Sequence, residues 1–147
     1  MNVSNKAVII TGGARGIGYA SVTAFARRGA KVVIADYDQS AGEEAVARLK
    51  AQNLDAVFTA VDVTDRASVM AMVEKALAHY QRIDVLINNA GITADSLLEK
   101  MTEEQFDKVI AVNLKGVFNC TQAVVPVMIA QGKGTIINTS SVIGLYG

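Results

Sequence analysis

The sequence predicts an α/β fold, a doubly wound parallel sheet with helices packed on both faces. Five short apolar segments of strand type alternate with helical patterns along the 147 residues. The apolar segments are continuous rather than alternating, as is typical of parallel strands that are buried on both faces. A cluster of glycines separates the first strand from the first helix. Such alternation produces right-handed crossovers and therefore a three-layer α/β/α arrangement.

Length and composition set further limits. With 147 residues, 51% of them hydrophobic, the chain is long enough for one domain with a substantial core. A formal net charge of zero argues against nucleic acid or an anionic membrane as a partner, because neither would be attracted at long range. The N-terminus lacks a signal-peptide pattern, and no apolar stretch is long enough to span a membrane. We therefore expect a cytoplasmic protein.

The first half of the chain contains three strand–helix pairs. An apolar run from Lys6 ends at the glycines, and a helix with an apolar face of Ile17, Ala20, Ala24 and Phe25 follows. Its end is predicted at residues 27–29, where two arginines precede a glycine. The remaining predictions are strands at 31–36 and 56–61, a helix at 41–50, and a third helix capped by Thr64 or Asp65.

The second half contains two strands and a long helix. Strands are predicted at residues 83–88 and 135–138. A capping box at Thr102 and Gln105 begins a helical pattern that continues to about Ala130. Pro126, the only proline, lies inside the last part of this pattern and is expected to bend the helix or to end it early. Residues 140–147 are predicted to form a loop.

The glycine cluster predicts a phosphate site. Gly12, Gly13, Gly16 and Gly18 permit a tight turn, close approach of backbone to a ligand, and close packing of the helix on the strand. The N–H groups at the start of the following helix, with the positive end of its dipole, suit a pyrophosphate. The spacing G-x-x-x-G-x-G differs from the standard fingerprint G-x-G-x-x-G. An ordinary glycine-rich turn is the alternative interpretation of this segment alone.

Asp36 and Arg15 bear on the choice of ligand. Asp36 ends the second strand, where an acidic side chain can accept hydrogen bonds from the ribose hydroxyls of a dinucleotide. Its charge opposes a ribose 2′-phosphate, although Asp36 could instead begin a turn or cap a helix. Arg15 could contact the pyrophosphate or the 2′-phosphate of NADP, or it could be a solvated arginine. The Asp36 charge favours NAD, with NADP as the alternative.

Further candidate residues follow the third and fourth strands. Asp62 and the adjacent backbone can recognise the edge of an adenine ring, while Val63 packs on its face. Asp62 as a helix cap is the alternative, although Thr64 and Asp65 are better placed for that role. The small residues of Asn89-Ala90-Gly91 allow backbone to lie against a flat ring or a ribose. The cofactor-binding residues predicted in this way are Gly12, Gly13, Arg15, Gly16, Ile17, Gly18, Asp36, Asp62, Val63, Asn89, Ala90 and Gly91.

Three motifs carry a family resemblance. Thr11-Gly12-x-x-x-Gly16-x-Gly18, Asn88-Asn89-Ala90-Gly91 and Ser141 after the fifth strand resemble the short-chain dehydrogenase/reductase family. Within it, residues 91–98 and 113–118 are most similar to the 3-oxoacyl-[acyl-carrier-protein] reductase group. The motifs occur in the expected order, and the resemblance covers the whole chain.

The resemblance implies a Rossmann-type fold and NAD(P)-dependent hydride transfer to or from a carbonyl. The substrate would be a 3-oxoacyl thioester of acyl carrier protein or coenzyme A, or a similar small-molecule ketone, and the intact enzyme would be a homotetramer. Ser141 matches the serine that hydrogen-bonds the substrate oxygen; its choice over Ser140 depends on the following Val142-x-Gly144. Asn113 matches the asparagine that holds a proton-relay water, whereas a solvent-facing helical residue is the alternative from sequence alone.

The chain departs from the family pattern in one respect. The family requires Tyr-x-x-x-Lys shortly after the serine, and none of the four tyrosines here is followed by lysine at that spacing. Tyr146 lies too close to Ser141 to match and is interpreted as a loop residue. We therefore expect residues 1–147 to be a dinucleotide-binding domain truncated after the fifth strand and inactive alone. The alternative is a non-catalytic binding or assembly module.

No metal site is predicted, and the single cysteine has a packing role. His79 is the only histidine, and no carboxylate or cysteine stands near it at metal-ligand spacing. Cys120 has no basic neighbour in sequence that would lower its pKa, so a buried packing thiol is expected.

Overall fold

The computed structural model describes residues 2–141 of the chain. Within them, five parallel strands form one sheet in the order β3-β2-β1-β4-β5. The strands are β1 (Ala7–Thr11), β2 (Lys31–Asp36), β3 (Ala56–Ala60), β4 (Val85–Asn88) and β5 (Thr135–Asn138). The order reverses direction between β1 and β4, which is the switch point of a doubly wound sheet. The predicted fold class is confirmed.

The helices connect these strands. They are α1 (Gly16–Ala26), α2 (Gln39–Lys50), α3 (Arg66–Tyr80), α4 (Glu103–Ile110) and α5 (Gly116–Ala130). A single 3₁₀ turn at Leu98–Lys100 precedes α4, and a π-helical segment at Ala111–Lys115 joins α4 to α5. No helix among residues 2–141 is both long enough and apolar enough to cross a membrane.

Alternate strand residues pack against the two helical layers. Ile9 lies in a core with residues of α3 and α5, together with the strand residues that point to the same face of the sheet, such as Ala7 and Leu86. Val8 and Ile10 point the other way, into a core shared with α1 and α2. Because successive side chains of a strand leave on opposite faces, one continuous apolar run supplies both cores. The three-layer arrangement follows directly from this alternation.

Side chains cap three of the helices. The Asp38 carboxylate accepts a hydrogen bond from Ala41 N–H at the start of α2, at 2.9 Å. Asp65, rather than Thr64, caps α3. Thr102 and Gln105 form the predicted capping box at the start of α4. These side chains supply acceptors for N–H groups that have no partner within the helix.

The buried face of α1 differs from the prediction. Gly18, Val22 and Ala26 are buried, whereas Ile17 and Ala20 are exposed. The helix has small or apolar residues on most of its surface, so periodicity alone did not distinguish the faces. Gly18 decides the orientation, because only a residue without a side chain can approach the glycine loop so closely.

The long helix also differs from the prediction. It is interrupted at residues 111–115, whereas one continuous pattern was predicted. It ends at Ala130, as predicted, and of the two effects expected of Pro126 an early end does not occur. Pro126 lies on the exposed side of α5, where the carbonyl group that loses its N–H partner can be hydrated. The π-helical segment was not predicted, because five residues are about one turn and too few to distinguish its period from that of an α-helix.

Other differences are small, and some predictions fall outside the structure. Strand β3 ends one residue earlier than predicted, β4 begins two residues later, and α2 begins at Gln39. Cys120 is fully buried, as expected, and burial raises the pKa of its thiol to about 12. His79 is exposed. The predictions for Val142, Gly144 and Tyr146 lie outside the described residues.

A charged cluster lies at the opposite, N-terminal edge of the sheet. Asp84, which is 6% exposed, accepts a hydrogen bond from Ala7 N–H at 3.0 Å and two from Arg82 at 2.6 Å. Lys6 Nζ lies 3.5 Å from the same carboxylate. Burial raises the pKa of Asp84, but the Arg82 and Ala7 hydrogen bonds and the Lys6 charge outweigh it and lower the pKa overall. This cluster joins the starts of β1 and β4.

Candidate functional site

A cleft of about 670 Å³ opens at the carboxyl ends of the strands, beside the switch point between β1 and β4. Ligands of doubly wound sheets bind at such a position. The cleft is lined by Gly12, Arg15, Asp36, Tyr37, Val61, Asp62, Val63, Thr64, Ala90, Gly91, Ile92, Lys108, Ala111 and Val112. It therefore combines the ends of four strands with one side of the α4 region.

The glycine loop forms one wall. Gly12 has φ of +63°, a conformation that side chains with a Cβ atom rarely adopt. A Cβ atom on Gly18 would overlap the carbonyl oxygen of Gly12. Helix α1 begins at Gly16, and no side chain among the described residues caps it. Its first N–H groups are thus left for an external acceptor, as at helix N-termini that bind phosphate.

Thr11 and Asn89 join the glycine loop to the segment after β4. The Thr11 hydroxyl accepts hydrogen bonds from the N–H groups of Asn89 and Ala90, both at 3.0 Å. In return, Asn89 Nδ2 donates to the carbonyl oxygens of Thr11 at 3.0 Å and Gly12 at 3.2 Å. Asn89 therefore fixes the position of the glycine loop without lining the cleft, while the adjacent Ala90 and Gly91 line it.

Asp36 joins the glycine loop to the turn after β2. Its Oδ2 accepts a hydrogen bond from Ala14 N–H at 2.9 Å, and its Oδ1 accepts one from Asp38 N–H at 3.1 Å. A carboxylate has about four acceptor positions. Each oxygen thus retains a lone pair with which it can accept a hydrogen bond from a ligand in the cleft.

Arg15 is paired with Asp38 at the mouth of the cleft. Arg15 Nη2 lies 2.7 Å from Asp38 Oδ2, and the side chains are 73% and 38% exposed. The hydrogen bond from Ala41 N–H has the largest influence on the pKa of Asp38. Together with the charge and hydrogen bond of Arg15 it outweighs desolvation and holds that pKa below its usual value. Asp38 is therefore an anion at neutral pH, and the guanidinium of Arg15 already has an anionic partner.

Asp62 folds back on its own turn. Its Oδ1 accepts hydrogen bonds from the N–H and the hydroxyl of Thr64, at 2.8 and 2.7 Å, while its own N–H donates to Ser68 Oγ at 2.9 Å. Asp62 lines the cleft but does not cap α3. One carboxylate oxygen is committed to this turn, and the other can contact a ligand.

Helix α5 supports Val63 from below. Asn119 Nδ2 donates a hydrogen bond to the Val63 carbonyl oxygen at 2.9 Å. A Cβ atom on Gly116 would clash with the Val63 side chain. The close approach of α5 therefore holds Val63 in the wall of the cleft, where the 7% of the residue that remains exposed can contact a ligand.

Asn113 lies in the π-helical segment and binds the loop after β4. Its Oδ1 accepts a hydrogen bond from Ile92 N–H, and its Nδ2 donates one to the Ile92 carbonyl oxygen, both at 2.9 Å. Because Ile92 lines the cleft, Asn113 positions that wall. The amide retains one donor and one acceptor position. Asn113 is exposed, so the solvent-facing alternative accounts for its position, but its amide also makes these two hydrogen bonds to the loop.

Ser141 follows β5 at the same edge of the sheet. The preceding segment is held by a hydrogen bond from Thr139 N–H to the Asn88 carbonyl oxygen, at 3.0 Å. Asn88 Nδ2 also donates to Thr121 Oγ1 and Asn138 Oδ1, at 3.1 and 2.9 Å. Ser141 is exposed and is not among the residues that line the cleft.

The structure separates the predicted cofactor residues into two groups. Gly12, Arg15, Asp36, Asp62, Val63, Ala90 and Gly91 line the cleft. Gly13, Gly18 and Asn89 shape it through packing or hydrogen bonds behind the surface, while Gly16 and the exposed Ile17 open α1 beside it. Their roles toward a ligand remain predictions.

Other lining residues were not predicted. Tyr37 and Val61 are sequence neighbours of Asp36 and Asp62, so proximity to those residues was an available signal. Lys108, Ala111 and Val112 enter from α4 and the segment after it. No local pattern identifies them, because only the packing of that helix over the sheet brings them to the cleft.

The arrangement suits an elongated ligand with phosphates at one end and a flat ring at the other. The uncapped start of α1 can bind phosphate oxygens, the Asp36 carboxylate can accept hydroxyl hydrogens, and Val63 offers an apolar contact. The glycine loop leaves no Cβ atoms where backbone must approach the ligand. No cluster of metal-binding side chains occurs in the part of the chain that the structure describes.

Known proteins resemble this chain along its whole length. The family described as short chain dehydrogenase matches residues 6–147. The chain is 48% identical to 3-oxoacyl-[acyl-carrier-protein] reductase FabG of Thermotoga maritima over 147 residues, or 100% of this chain and 60% of that protein. It is 46% identical to the reductase of the same name from Chlamydia muridarum, over 97% of this chain and 58% of that protein.

A solved structure shares both the fold and part of the sequence of this chain. A short chain dehydrogenase/reductase from Burkholderia phymatum, in complex with NAD, superposes with a TM-score of 0.95 at 32% identity. That match covers 99% of this chain and 52% of the other. The 147-residue chain thus spans about 60% of the length of the curated relatives that it matches.

Proposed function

The chain belongs to the short-chain dehydrogenase family, and from this we propose that it carries the cofactor site of a nicotinamide-dependent oxidoreductase. The reaction is hydride transfer between the nicotinamide and a ketone or secondary alcohol. The relatives named above are reductases of 3-oxoacyl thioesters. We infer the same substrate class here, with the acyl group carried by acyl carrier protein or coenzyme A.

One observation carries the proposal. The glycine loop, Asp36, Asp62-Val63 and Ala90-Gly91 are far apart in sequence, yet they line a single cleft at the switch point of the sheet. In a dinucleotide site these groups would meet the pyrophosphate, the ribose, the adenine and the second nucleoside in turn. A glycine-rich turn without a ligand would not require the other segments to converge on it.

The residues of the chain would hold the cofactor in distinct ways. The first N–H groups of α1 bind the pyrophosphate, the free lone pairs of Asp36 accept the adenosine ribose hydroxyls, and Asp62 with Val63 receives the adenine. When bound, the nicotinamide cofactor supplies or accepts the hydride. The carboxylate of Asp36 repels a 2′-phosphate, so we propose NAD as the cofactor.

Ser141 and Asn113 are the proposed catalytic residues of this chain. Ser141, after β5, hydrogen-bonds the substrate oxygen and stabilises the charge that develops on it. Asn113, oriented by Ile92, uses its remaining donor and acceptor positions to hold a water that relays a proton. Both roles are carried over from the family resemblance.

Direct binding tests the cofactor proposal. The 147-residue chain is titrated with NADH in an isothermal calorimeter, and binding with one site per chain is expected. Uridine diphosphate glucose, which has a pyrophosphate but lacks adenine and nicotinamide, is the control and should bind at least tenfold more weakly, because about 1.4 kcal/mol of base contacts is lost. Absence of NADH binding by folded protein would contradict the proposal.

A second candidate function is a non-catalytic dinucleotide-binding or assembly module. Residues 1–147, taken alone, do not contain the Tyr-x-x-x-Lys pair that the family resemblance assigns to acid–base catalysis. Loss of a general acid–base typically costs about 100-fold to 10,000-fold in rate. We therefore expect no detectable reduction of acetoacetyl-coenzyme A by this polypeptide with NADH, followed at 340 nm. Steady turnover by a polypeptide whose mass has been verified as that of the 147 residues would contradict that expectation.

We also propose that the protein forms homo-oligomers, a tetramer in the intact enzyme. Phe106, Ile110, Leu114 and Phe118 recur every four residues along α4, the π-helical segment and α5, and all are exposed. We call this row the α4–α5 stripe. An exposed apolar row of this kind favours association. A cytoplasmic location is part of the proposal, since the single buried thiol, Cys120, suits a reducing compartment.

A further inference from the structure

We propose that Asp38 is a specificity-determining residue that disfavours dinucleotides with a ribose 2′-phosphate by holding Arg15 in an ion pair. The inference rests on the proposed nicotinamide-dependent function and concerns the same cleft. Arg15 lines that cleft together with Asp36. Its guanidinium is a cation on the wall of the cleft, where it could pair with a 2′-phosphate that lies beside Asp36. In the structure, the Asp38 carboxylate already forms an ion pair with this guanidinium.

The pairing geometry supports this role. Arg15 Nη2 and Asp38 Oδ2 are 2.7 Å apart, within the range of a charge-assisted hydrogen bond. The other Asp38 oxygen accepts the Ala41 N–H at 2.9 Å, and Asp38 N–H donates to Asp36 at 3.1 Å. The Asp38 carboxylate is therefore fixed in place before Arg15 reaches it. A fixed partner loses less conformational freedom on pairing than two mobile surface side chains do.

The charges explain the selectivity. The two carboxylates of Asp36 and Asp38 and the one guanidinium of Arg15 give a formal net charge of about −1. A phosphate monoester brings about −1.5 to −2 more. To gain Arg15, it must displace Asp38 and leave that carboxylate unpaired beside Asp36. A ribose with a free 2′-hydroxyl requires no such displacement.

One other cation lines the same cleft. Lys108 enters from α4, across from the glycine loop. If Lys108 rather than Arg15 were the cation that a 2′-phosphate uses, Asp38 would act only through long-range repulsion. The proposal therefore predicts that any effect of removing the Asp38 charge depends on the presence of Arg15.

The test is the ratio of the dissociation constants for NADPH and NADH, measured by calorimetry on the 147-residue chain. The variant Asp38→Asn removes the charge but keeps an oxygen that can cap α2, since asparagine is as good an N-cap as aspartate. The matched control is Asp65→Asn, which makes the same change at the cap of α3. Arg15→Ala and the double variant Arg15→Ala/Asp38→Asn complete a double-mutant cycle.

We expect Asp38→Asn to lower the ratio of the NADPH dissociation constant to the NADH dissociation constant by about twofold to fivefold, the size of one exposed ion pair. Asp65→Asn should leave the ratio unchanged. In the Arg15→Ala background, Asp38→Asn should change the ratio by less than about twofold, within the usual limit for uncoupled sites. Circular dichroism confirms that each variant retains its helices.

Three outcomes would overturn the inference. An unchanged ratio for folded Asp38→Asn that still binds NADH excludes the role of Asp38 while leaving the proposed function in place. An equal gain in the Arg15→Ala background assigns the effect to general repulsion or to Lys108. Failure of the unmutated chain to bind either dinucleotide overturns the proposed function, and this inference with it.

Discussion

Asp36 links the glycine loop to the rest of the cleft through Ala14, whose N–H donates to Asp36 Oδ2 at 2.9 Å across 22 residues of sequence. The second carboxylate oxygen accepts the Asp38 N–H. The side chain proposed to bind the ribose therefore also positions the loop proposed to bind the pyrophosphate. A change at Asp36 should act on both parts of the ligand, because one carboxylate serves both.

The first prediction concerns cofactor choice. The unmutated chain is expected to bind NADH more tightly than NADPH, by about tenfold or more, because a 2′-phosphate beside a carboxylate is repelled in a partly desolvated site. Asp36→Ala should weaken NADH binding by about tenfold, since hydrogen bonds to a charged carboxylate are stronger than those between neutral groups. It should also reduce the preference for NADH.

Calorimetric titration of both dinucleotides measures this. Glu74→Ala, an exposed carboxylate on α3, is the control for a loss of negative charge away from the cleft. Equal or tighter binding of NADPH by the unmutated chain would refute the argument from Asp36.

The second prediction concerns the glycine loop. A Cβ atom on Gly18 would overlap the Gly12 carbonyl oxygen, so Gly18→Ala should displace the loop and weaken NADH binding by more than tenfold. Overpacking of this kind typically costs about 1–3 kcal/mol of unfolding free energy. The relevant measurements are a urea unfolding curve and an NADH titration on the same preparation.

Gly132→Ala is the matched control for the loop. Gly132 has φ of +70° with no atom within 4 Å of its Cβ position, so alanine there should cost about 1–2 kcal/mol of strain and nothing in NADH affinity. If both variants bind NADH like the unmutated chain, close packing at Gly18 is not required for the site.

The third prediction concerns the α4–α5 stripe. We expect the chain to elute as an oligomer in size-exclusion chromatography with light scattering at about 50 μM, because exposed apolar rows are usually covered. Phe106→Ser/Phe118→Ser should shift the mass toward the 15.5 kDa of one chain. Met70→Ser, at an exposed position on α3, should not. A single-chain mass for the unmutated protein would count against association through this surface.

The fourth prediction concerns the acid stability of the cluster at the N-terminal edge of the sheet. The pKa of Asp84 is lowered on folding, in spite of its burial, by the Arg82 and Ala7 hydrogen bonds and the Lys6 charge. Its contribution is therefore present above the unfolded pKa of about 3.9 and is lost as the pH falls through the lower folded value. Asp84→Asn should cost about 1–3 kcal/mol at pH 7.

Urea unfolding at pH 7, 5 and 3 measures this dependence. The difference between the unmutated chain and Asp84→Asn should hold from pH 7 to pH 5 and shrink below pH 4, around the ordinary carboxyl pKa of about 3.9. Glu44→Gln removes an exposed pair with Arg48 and should cost less than about 1 kcal/mol at any of these pH values. A pH-independent effect of Asp84→Asn would assign its role to shape rather than charge.

Much of the fold could be predicted because its signals are local. Continuous apolar runs such as residues 31–36 can be satisfied only by burial on both faces, and the Thr102–Gln105 box specifies a helix start within four residues. The end of β2 at Asp36 and the glycine loop after β1 could likewise be predicted, since glycine and aspartate strongly favour turns.

Other features could not be predicted because they depend on partners distant in sequence. The exposure of Ile17 follows from the packing of Gly18, which faces not only the neighbouring Gly12 but also Asn89 from the segment after β4. The π-helical segment accompanies a pair of bonds between Asn113 and Ile92, which are 21 residues apart. These partners lie farther apart than the windows of about 11 to 18 residues in which periodicity is detected, so the pattern of each helix carries no information about them.

By itself, then, the sequence determined the alternation of strands and helices, the parallel sheet, and the residue types that stand at its carboxyl edge. Those properties arise from solvent exclusion and backbone preference, which act over a few residues. The tertiary structure alone decided that Lys108 and Val112 reach the cleft, and that Arg15 is paired with Asp38. Such pairings depend on distances between side chains from different elements, and only the packed sheet and helices set those distances.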